Sequence, residues 1–326
     1  MALTVAALSL AGYLAIAAGL ILSQWPGRIA SGRTLTFLAP QDAEGGGATD
    51  VPLRSYRTRD GADLGLRRFA ARGPGAPLVV IVHGSGWHGE AYVPIARHLS
   101  QHGNFEVLLP DLRGHGVAPE RRGDVGYIGA FEDDLADLIA AHRTPGQPVF
   151  MIGHSSGGGL VIRFAAGRHC GVLDKAVLLS PFLKHDAPTM RTNAGGWSHP
   201  LVRRTIGLAM LNALGIRVFN GLTVIQFRFP PEVLNGPRGD TATTHYSYRL
   251  NTSYAPRGDY LADVAKLPPF LLLAGAEDEA FDAAQFKPLL SGANPHGTYA
   301  VLPGVGHLGL IGAPDALARV RAFLET

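Results

Sequence analysis

The sequence predicts an α/β fold, a mostly parallel eight-stranded sheet with helices on both faces and one inserted segment. Three observations predict it. Short apolar runs alternate with longer stretches of helical periodicity, which is the pattern of βαβ units. Several of those runs end in glycine-rich turns, as at His83-Gly84-Ser85-Gly86 and Gly153-His154-Ser155-Ser156-Gly157. The alternation then fails between Asp186 and Tyr254 and resumes at Lys266-Leu267-Pro268, so that stretch reads as an insertion over the core.

Taken in order, residues 53–58 and 64–70 read as two antiparallel strands joined by Arg59-Asp60-Gly61. Strands follow at 78–82, 105–109, 149–152 and 175–179, separated by helices at 92–102, 130–142 and 157–167. The runs 269–274 and 299–302 supply the last two strands. The expected layout is an N-terminal anchor over residues 1–23, a linker over 24–51, a core formed by 52–185 and 255–326, and a cap over 186–254. The cap stretch holds scattered apolar residues broken by glycine and arginine. Many of them must pack the cap onto the core, and the rest could line an acyl pocket.

The chain has 326 residues, 46% of them hydrophobic, and a net charge of +3. That suits a folded enzyme-sized domain with an insertion and argues against a disordered chain. No dense basic cluster interleaved with aromatics is present, so nucleic acid is not an expected partner. The single cysteine, Cys170, excludes an intrachain disulfide and any multi-cysteine metal site. No Walker-type loop or dinucleotide fingerprint occurs; neither a cofactor nor a metal is expected.

Residues 2–22 carry no charge and are almost wholly apolar, which is long enough to cross a bilayer as a helix. Trp25 follows at an interfacial position, and Pro26-Gly27 ends the helix. The reading is a single-pass anchor, joined to the body by a small-residue tether ending in Glu44-Gly45-Gly46-Gly47-Ala48. Arg28, Arg33, Arg54 and Arg57 all follow the segment, which places the body on the cytoplasmic side. A cleaved signal peptide, with Ala15-Ile16-Ala17 at the cut and a secreted or periplasmic product, is the competing reading. A soluble hydrophobic arm is the third.

The chemistry centres on Ser155. An apolar strand running into Gly-His-Ser-Ser-Gly and then a helix is the pattern of a nucleophile elbow, a sharp turn that pushes the serine hydroxyl clear of the backbone. A serine hydroxyl needs a base to take its proton, and the order in such folds is serine, acid, histidine. His307 follows the strand at 299–302, and Asp278 follows the strand at 269–274. Asp278 would fix the imidazole tautomer. Glu277 and Glu279 flank it, and Asp186 after the strand at 175–179 is a topological alternative. An oxyanion hole needs two backbone N–H groups; Ser156 and Ser85 are placed to give them. His83, Gly84, Trp87 and His154 are the tentative pocket residues, with His83 and His154 read as supports for the neighbouring turns. Asp111-Leu112-Arg113-Gly114-His115-Gly116 reads as a pinned glycine turn.

With those residues in place, the chain resembles the α/β-hydrolase superfamily over about residues 52 to 326. It looks most like the branch that holds monoglyceride lipases, lysophospholipases and serine aminopeptidase-like enzymes. The carriers are His83-Gly84-Ser85-Gly86, Asp111 to Gly116, Gly153 to Gly158, Gly275-Ala276-Glu277-Asp278 and Gly306-His307. The resemblance implies a cap at the insertion and lipid esters among the substrates. Where a typical member has a bulky residue after the nucleophile, this chain has Ser156. The resulting expectation is a membrane-anchored serine hydrolase acting on small-molecule or lipid esters. A peptidase or amidase with the same triad is the enzymatic alternative, and an inactive binding module the non-enzymatic one.

Overall fold

A computed structural model describes residues 1–29, 35–36, 51–192 and 194–326. The predicted glycine-rich tether at 44–48 lies outside the described residues. The strands of the main sheet are β1 (Arg54–Arg57), β2 (Asp63–Phe69), β3 (Leu78–Val82), β4 (Glu106–Pro110), β5 (Val149–His154) and β6 (Lys175–Leu179). The segment after β6 adds a small antiparallel sheet of β7 (Ser198–Pro200), β8 (Thr223–Phe227) and β9 (His245–Ser247), before β10 (Phe270–Gly275) and β11 (Gly297–Leu302) return to the main sheet. The main sheet has eight strands in the order β1-β2-β4-β3-β5-β6-β10-β11. β1 and β2 pair antiparallel, β2 is antiparallel to β4, and every other pairing is parallel.

The period-2 geometry of a strand explains why β3, β10 and residues 149–152 of β5 are apolar. Successive side chains point to opposite faces, so a strand covered on both faces needs an unbroken apolar run. Leu78, Val80 and Val82 enter one core layer, while Val79 and Ile81 enter the other. Phe270 and Leu272 divide from Leu271 and Leu273 in the same way. The first layer is closed by α3 (Ala130–His142) and α4 (Ser156–Ala166), through Phe131, Leu135, Leu160 and Phe164. The second is closed by α2 (Val93–His102) and, at the C-terminus, a helix over Pro314–Glu325, through Ile95, Leu99, Val320 and Leu324.

The insertion is more regular than its sequence indicates. Its strands are only three to five residues long and partly exposed, so none produces a continuous apolar run. Between β7 and β8 lies α5 (Val202–Ala213), and a single turn, α6 (Pro231–Leu234), follows β8. Ser247 then caps α7 (Tyr248–Tyr254) by accepting from the Leu250 N–H at 3.1 Å. Leu250 and Tyr254 are already part of the main core.

The N-terminal helix α1 (Ala2–Leu22) is not a free tethered rod. Ala17 and Ile21 are buried against Leu208 and Leu211 of α5 and Val224 of β8. Gly207 makes the approach possible: a Cβ there would lie 2.6 Å from the Ala17 carbonyl oxygen and 2.7 Å from Ile21 Cγ1. Tyr13 donates its hydroxyl to the Met210 carbonyl at 3.1 Å. Helix C-terminal carbonyls lack intrahelical partners, and two arginines of α5 serve that end. Arg204 Nε donates to the Ile21 carbonyl and Arg203 Nη2 to the Ser23 carbonyl, at 3.3 and 2.8 Å. Arg204 also stacks over the Trp25 ring at 4.5 Å. The Gln226 side chain clasps the backbone N–H and C=O of Gly27. Leu35 is buried in the main core. The expected linker is therefore tied to the body wherever it is described.

Gly207→Leu should unseat α1 at a cost of about 1–3 kcal/mol, the usual range for overpacking. The check is the urea unfolding midpoint, with Gly12→Leu as control because a Cβ at Gly12 meets open space. Equal midpoints in the two variants would contradict the docking.

Candidate active site

The turn after β5 is strained where the sequence places its nucleophile. Ser155 has φ 54° and ψ −122°, a region a residue with a Cβ occupies only when its surroundings enforce it. Those surroundings are visible. The Ser155 N–H donates to the Leu179 carbonyl at 2.9 Å, and its carbonyl accepts from Phe182 N–H at 2.9 Å. Gly153 and Gly157 have no room for a side chain: a Cβ on the first would collide with Gly157 and on the second with the Val82 carbonyl. Ser155 is also the N-cap of α4, so the positive end of that helix faces the turn.

Asp278 and His307 come together from the ends of β10 and β11. His307 Nδ1 lies 2.9 Å from Asp278 Oδ2, and both side chains are buried. The other carboxylate oxygen accepts from the N–H groups of Ala280 and Phe281 at 2.8 and 2.9 Å. Burial opposes the charge on Asp278, but the His307 ring and these hydrogen bonds outweigh it and hold its pKa below the ordinary value. The alternatives fall elsewhere. Glu279 grips the histidine by its backbone, Oε2 accepting the His307 N–H at 2.8 Å, while Oε1 accepts from Thr36. Glu277 is exposed, and Asp186 is exposed and paired with Lys184 at 3.2 Å. Among the described residues no hydrogen bond joins Ser155 Oγ to His307. Such bonds are often open without substrate and close in the complex.

Ser85 and Ser156, the two expected oxyanion donors, meet at their hydroxyls, Oγ to Oγ 2.5 Å. The loop carrying Ser85 is gripped on both sides. Gly84 N–H donates to the Tyr92 hydroxyl at 2.9 Å, which donates to His154 Nδ1 at 2.8 Å. His154 Nε2 then donates to the His307 carbonyl at 3.1 Å. Gly86 N–H donates to the Tyr246 hydroxyl at 2.6 Å, which donates to His115 Nε2 at 2.7 Å, while His115 Nδ1 donates to the Arg113 carbonyl. A carbonyl only accepts, so both imidazole tautomers are determined. Between the two gripped groups, the N–H of Ser85 has no acceptor among the described residues, and neither has that of Ser156.

His83 sits beneath the same loop, Nδ1 donating to the Gly84 carbonyl at 2.8 Å and Nε2 accepting from Leu112 N–H at 3.0 Å. His83 and His154 are 0% and 2% exposed with both ring nitrogens used, so they brace the turns and do not line a pocket. Trp87 is half-buried, stacks on His88 and faces Phe229 at 5.9 Å. Phe229 and Trp197, both from the insertion, pack on Gly86: a Cβ there would lie 2.7 Å from Phe229 Cζ. Gly86 also has φ 80°, so both space and backbone require glycine. Asp111 and Arg113 are consumed structurally, the first by Gly89 N–H and Arg67, the second by Asp60 and Asp134. Tyr92, Tyr246 and Glu279 are the contributors that reading along the chain misses. Only Glu279 left a trace, as a possible acid.

Four buried histidines sit in this network with depressed pKa values because burial disfavours the cation. His83 is held at about 4, His88 and His154 at about 3, and His115 well below 6.5. The unfolded chain takes up these protons below pH 6.5, whereas the folded chain does not. Stability is thus complete above pH 6.5 and is lost as pH falls toward the folded pKa values, by up to about 1.4 kcal/mol per pH unit per histidine. The urea midpoint should be level from pH 7 to 9 and drop steeply between pH 6.5 and 4. A level midpoint over the acidic range would contradict the neutral network.

The family described as serine aminopeptidase, S33, matches residues 74–311. Human monoglyceride lipase is 33% identical over 126 residues, covering 38% of this chain and 41% of that protein. Monoacylglycerol lipase of Mycolicibacterium smegmatis is 34% identical over 112 residues, covering 33% and 39%. The matched stretch is thus less than half the length of each. Among solved structures, a soluble variant of monoglyceride lipase from Saccharomyces cerevisiae superposes with a TM-score of 0.64 at 17% identity, over 85% of this chain and 94% of that one. Monoacylglycerol lipase of Paleococcus ferrophilus gives 0.58 at 23% identity, over 81% and 98%. These likenesses carry the α/β-hydrolase fold, and the matched span is most of the chain: it belongs to the S33 family of hydrolases, whose relatives here include lipases.

Proposed function

We propose that the chain hydrolyses carboxylic esters of lipid type through an acyl-enzyme on Ser155. Ser155 Oγ attacks the ester carbonyl as His307 Nε2 takes its proton, while the N–H groups of Ser85 and Ser156 stabilise the oxyanion. Asp278 holds the Nδ1 proton and stabilises the imidazolium. His307 then protonates the departing alcohol, and water, activated by the same histidine, releases the acid and restores the serine. The observation that carries this reading is the 2.9 Å bond from His307 Nδ1 to Asp278, beside a serine held at φ 54°. The lipase relatives and the aromatic cover over Gly86 support an apolar acyl group. The acids of the insertion, Asp186, Glu232 and Asp240, are all exposed, which favours an ester over a substrate recognised by a free amino terminus.

The test is hydrolysis of nitrophenyl esters from acetyl to palmitoyl, with amide analogues alongside. Ser155→Ala should abolish turnover and fluorophosphonate labelling. Asp278→Asn should lower kcat about 10⁴-fold by releasing the tautomer. Long-chain preference supports a lipid ester. Turnover of amides above esters would shift the assignment to an amidase, and an active Ser155→Ala enzyme would remove the mechanism.

A further inference from the structure

We infer that α1 and α5 lie side by side along the surface of an anionic phospholipid bilayer, as one monotopic platform, and that α1 does not cross the membrane alone. The argument begins with the pairing. Tyr13 meets Met210, Ala17 meets Gly207, and Ile21 meets Arg204, so the two helices run antiparallel over about two turns. If α1 crossed with Trp25 at one interface, Tyr13 would lie about 18 Å inside at 1.5 Å per residue. It would carry the end of α5 to the middle of a hydrocarbon layer about 30 Å thick. Asn212, the Asn220 bonded to it, and the exposed Arg217 belong to that end, and polar groups of this kind are costly there. Laid flat, the same pair keeps all of them at headgroup level.

The surface has the chemistry of a membrane face. Val202, Ile206 and Leu214 of α5 are exposed, as are Val218 and Phe219 just beyond it. On α1, Leu8 and Ile16 are exposed as well. The segments that carry the platform, residues 1–29 and 201–222, hold four arginines and no Asp or Glu, although the chain has 26 acidic residues. Arg28, Arg203 and Arg217 are exposed. Apolar segments that themselves carry cations and no acid fit an anionic bilayer. Ala17, the last residue of the possible signal-cleavage site, is fully buried under α5, so the platform requires α1 to remain in the mature protein.

Three measurements on the full-length chain test this. Epitope tags at both ends are probed by protease in spheroplasts; both should be reached from the same side of the membrane. Tags on opposite sides, or a mature chain lacking the N-terminal tag, overturn the proposal. A fluorophore on Val218→Cys, in a Cys170→Ser background, should be quenched by brominated acyl chains in vesicles of phosphatidylcholine and phosphatidylglycerol, whereas one on Ser291→Cys should not. A label at 218 that stays open to water, or is shielded without quenching as in a second copy of the chain, overturns it. Arg217→Glu should weaken partition into the mixed vesicles by roughly fivefold or more, with no change for phosphatidylcholine alone. Hydrolysis of a soluble ester is recorded in parallel, so that loss of the platform and loss of the proposed chemistry are told apart.

Discussion

The loop from His83 to Gly86 is held by two tyrosine hydroxyls, and the candidate site depends on that arrangement. Tyr92 takes the Gly84 N–H and Tyr246 takes the Gly86 N–H, each passing a hydrogen bond to a buried neutral histidine. Buried N–H groups must find acceptors. Here the flanking two are satisfied, and the one between them, on Ser85, has no acceptor among the described residues. Preorganised donors of this kind need not reorganise when charge develops on a substrate oxygen. The chain through Tyr92 ends on the His307 carbonyl, so the backbone that positions the candidate base and the backbone that positions the candidate oxyanion donors are parts of one network.

Much of the architecture is legible in the chain because burial on two faces leaves a plain mark. β3, β10 and residues 149–152 of β5 are unbroken apolar runs, and the helix at 130–142 and the strand at 175–179 fall where the sequence puts them. The elbow is legible because two glycines must flank a serine for β5, α4 and the end of β3 to meet. Asp278 is singled out from its acidic neighbours only in space, where it reaches the His307 ring while Glu279 reaches the His307 backbone. The insertion is the least legible part. Its strands are short and half covered, so no periodicity survives. The role of Tyr246 rests on a partner 160 residues away, which no local pattern records.

The insertion joins what the sequence presents as separate parts. Its aromatic residues rest on the Ser85 loop, its α5 receives α1, and Gln226 of β8 clasps Gly27. The hydrophobic helix and the loop over the candidate site therefore share one support. The segment at Leu35 and Thr36 adds a second link, since Thr36 bonds the same Glu279 carboxylate that holds the His307 backbone.

The distance in sequence between Gly86 and Tyr246 has a consequence for how the protein is made. During synthesis the sheet can begin to assemble once β1 to β6 have emerged, because apart from the β6 edge, which later takes β10, these six strands pair among themselves. The Gly86 N–H, however, has no tyrosine to meet until the insertion is complete, and the elbow has no histidine opposite it until β11 has been added. Long-range closures of this kind are slow to form. A nascent or truncated chain thus has a partial sheet without a finished candidate site, and Ser155, Asp278 and His307 come together only after β11 has been made.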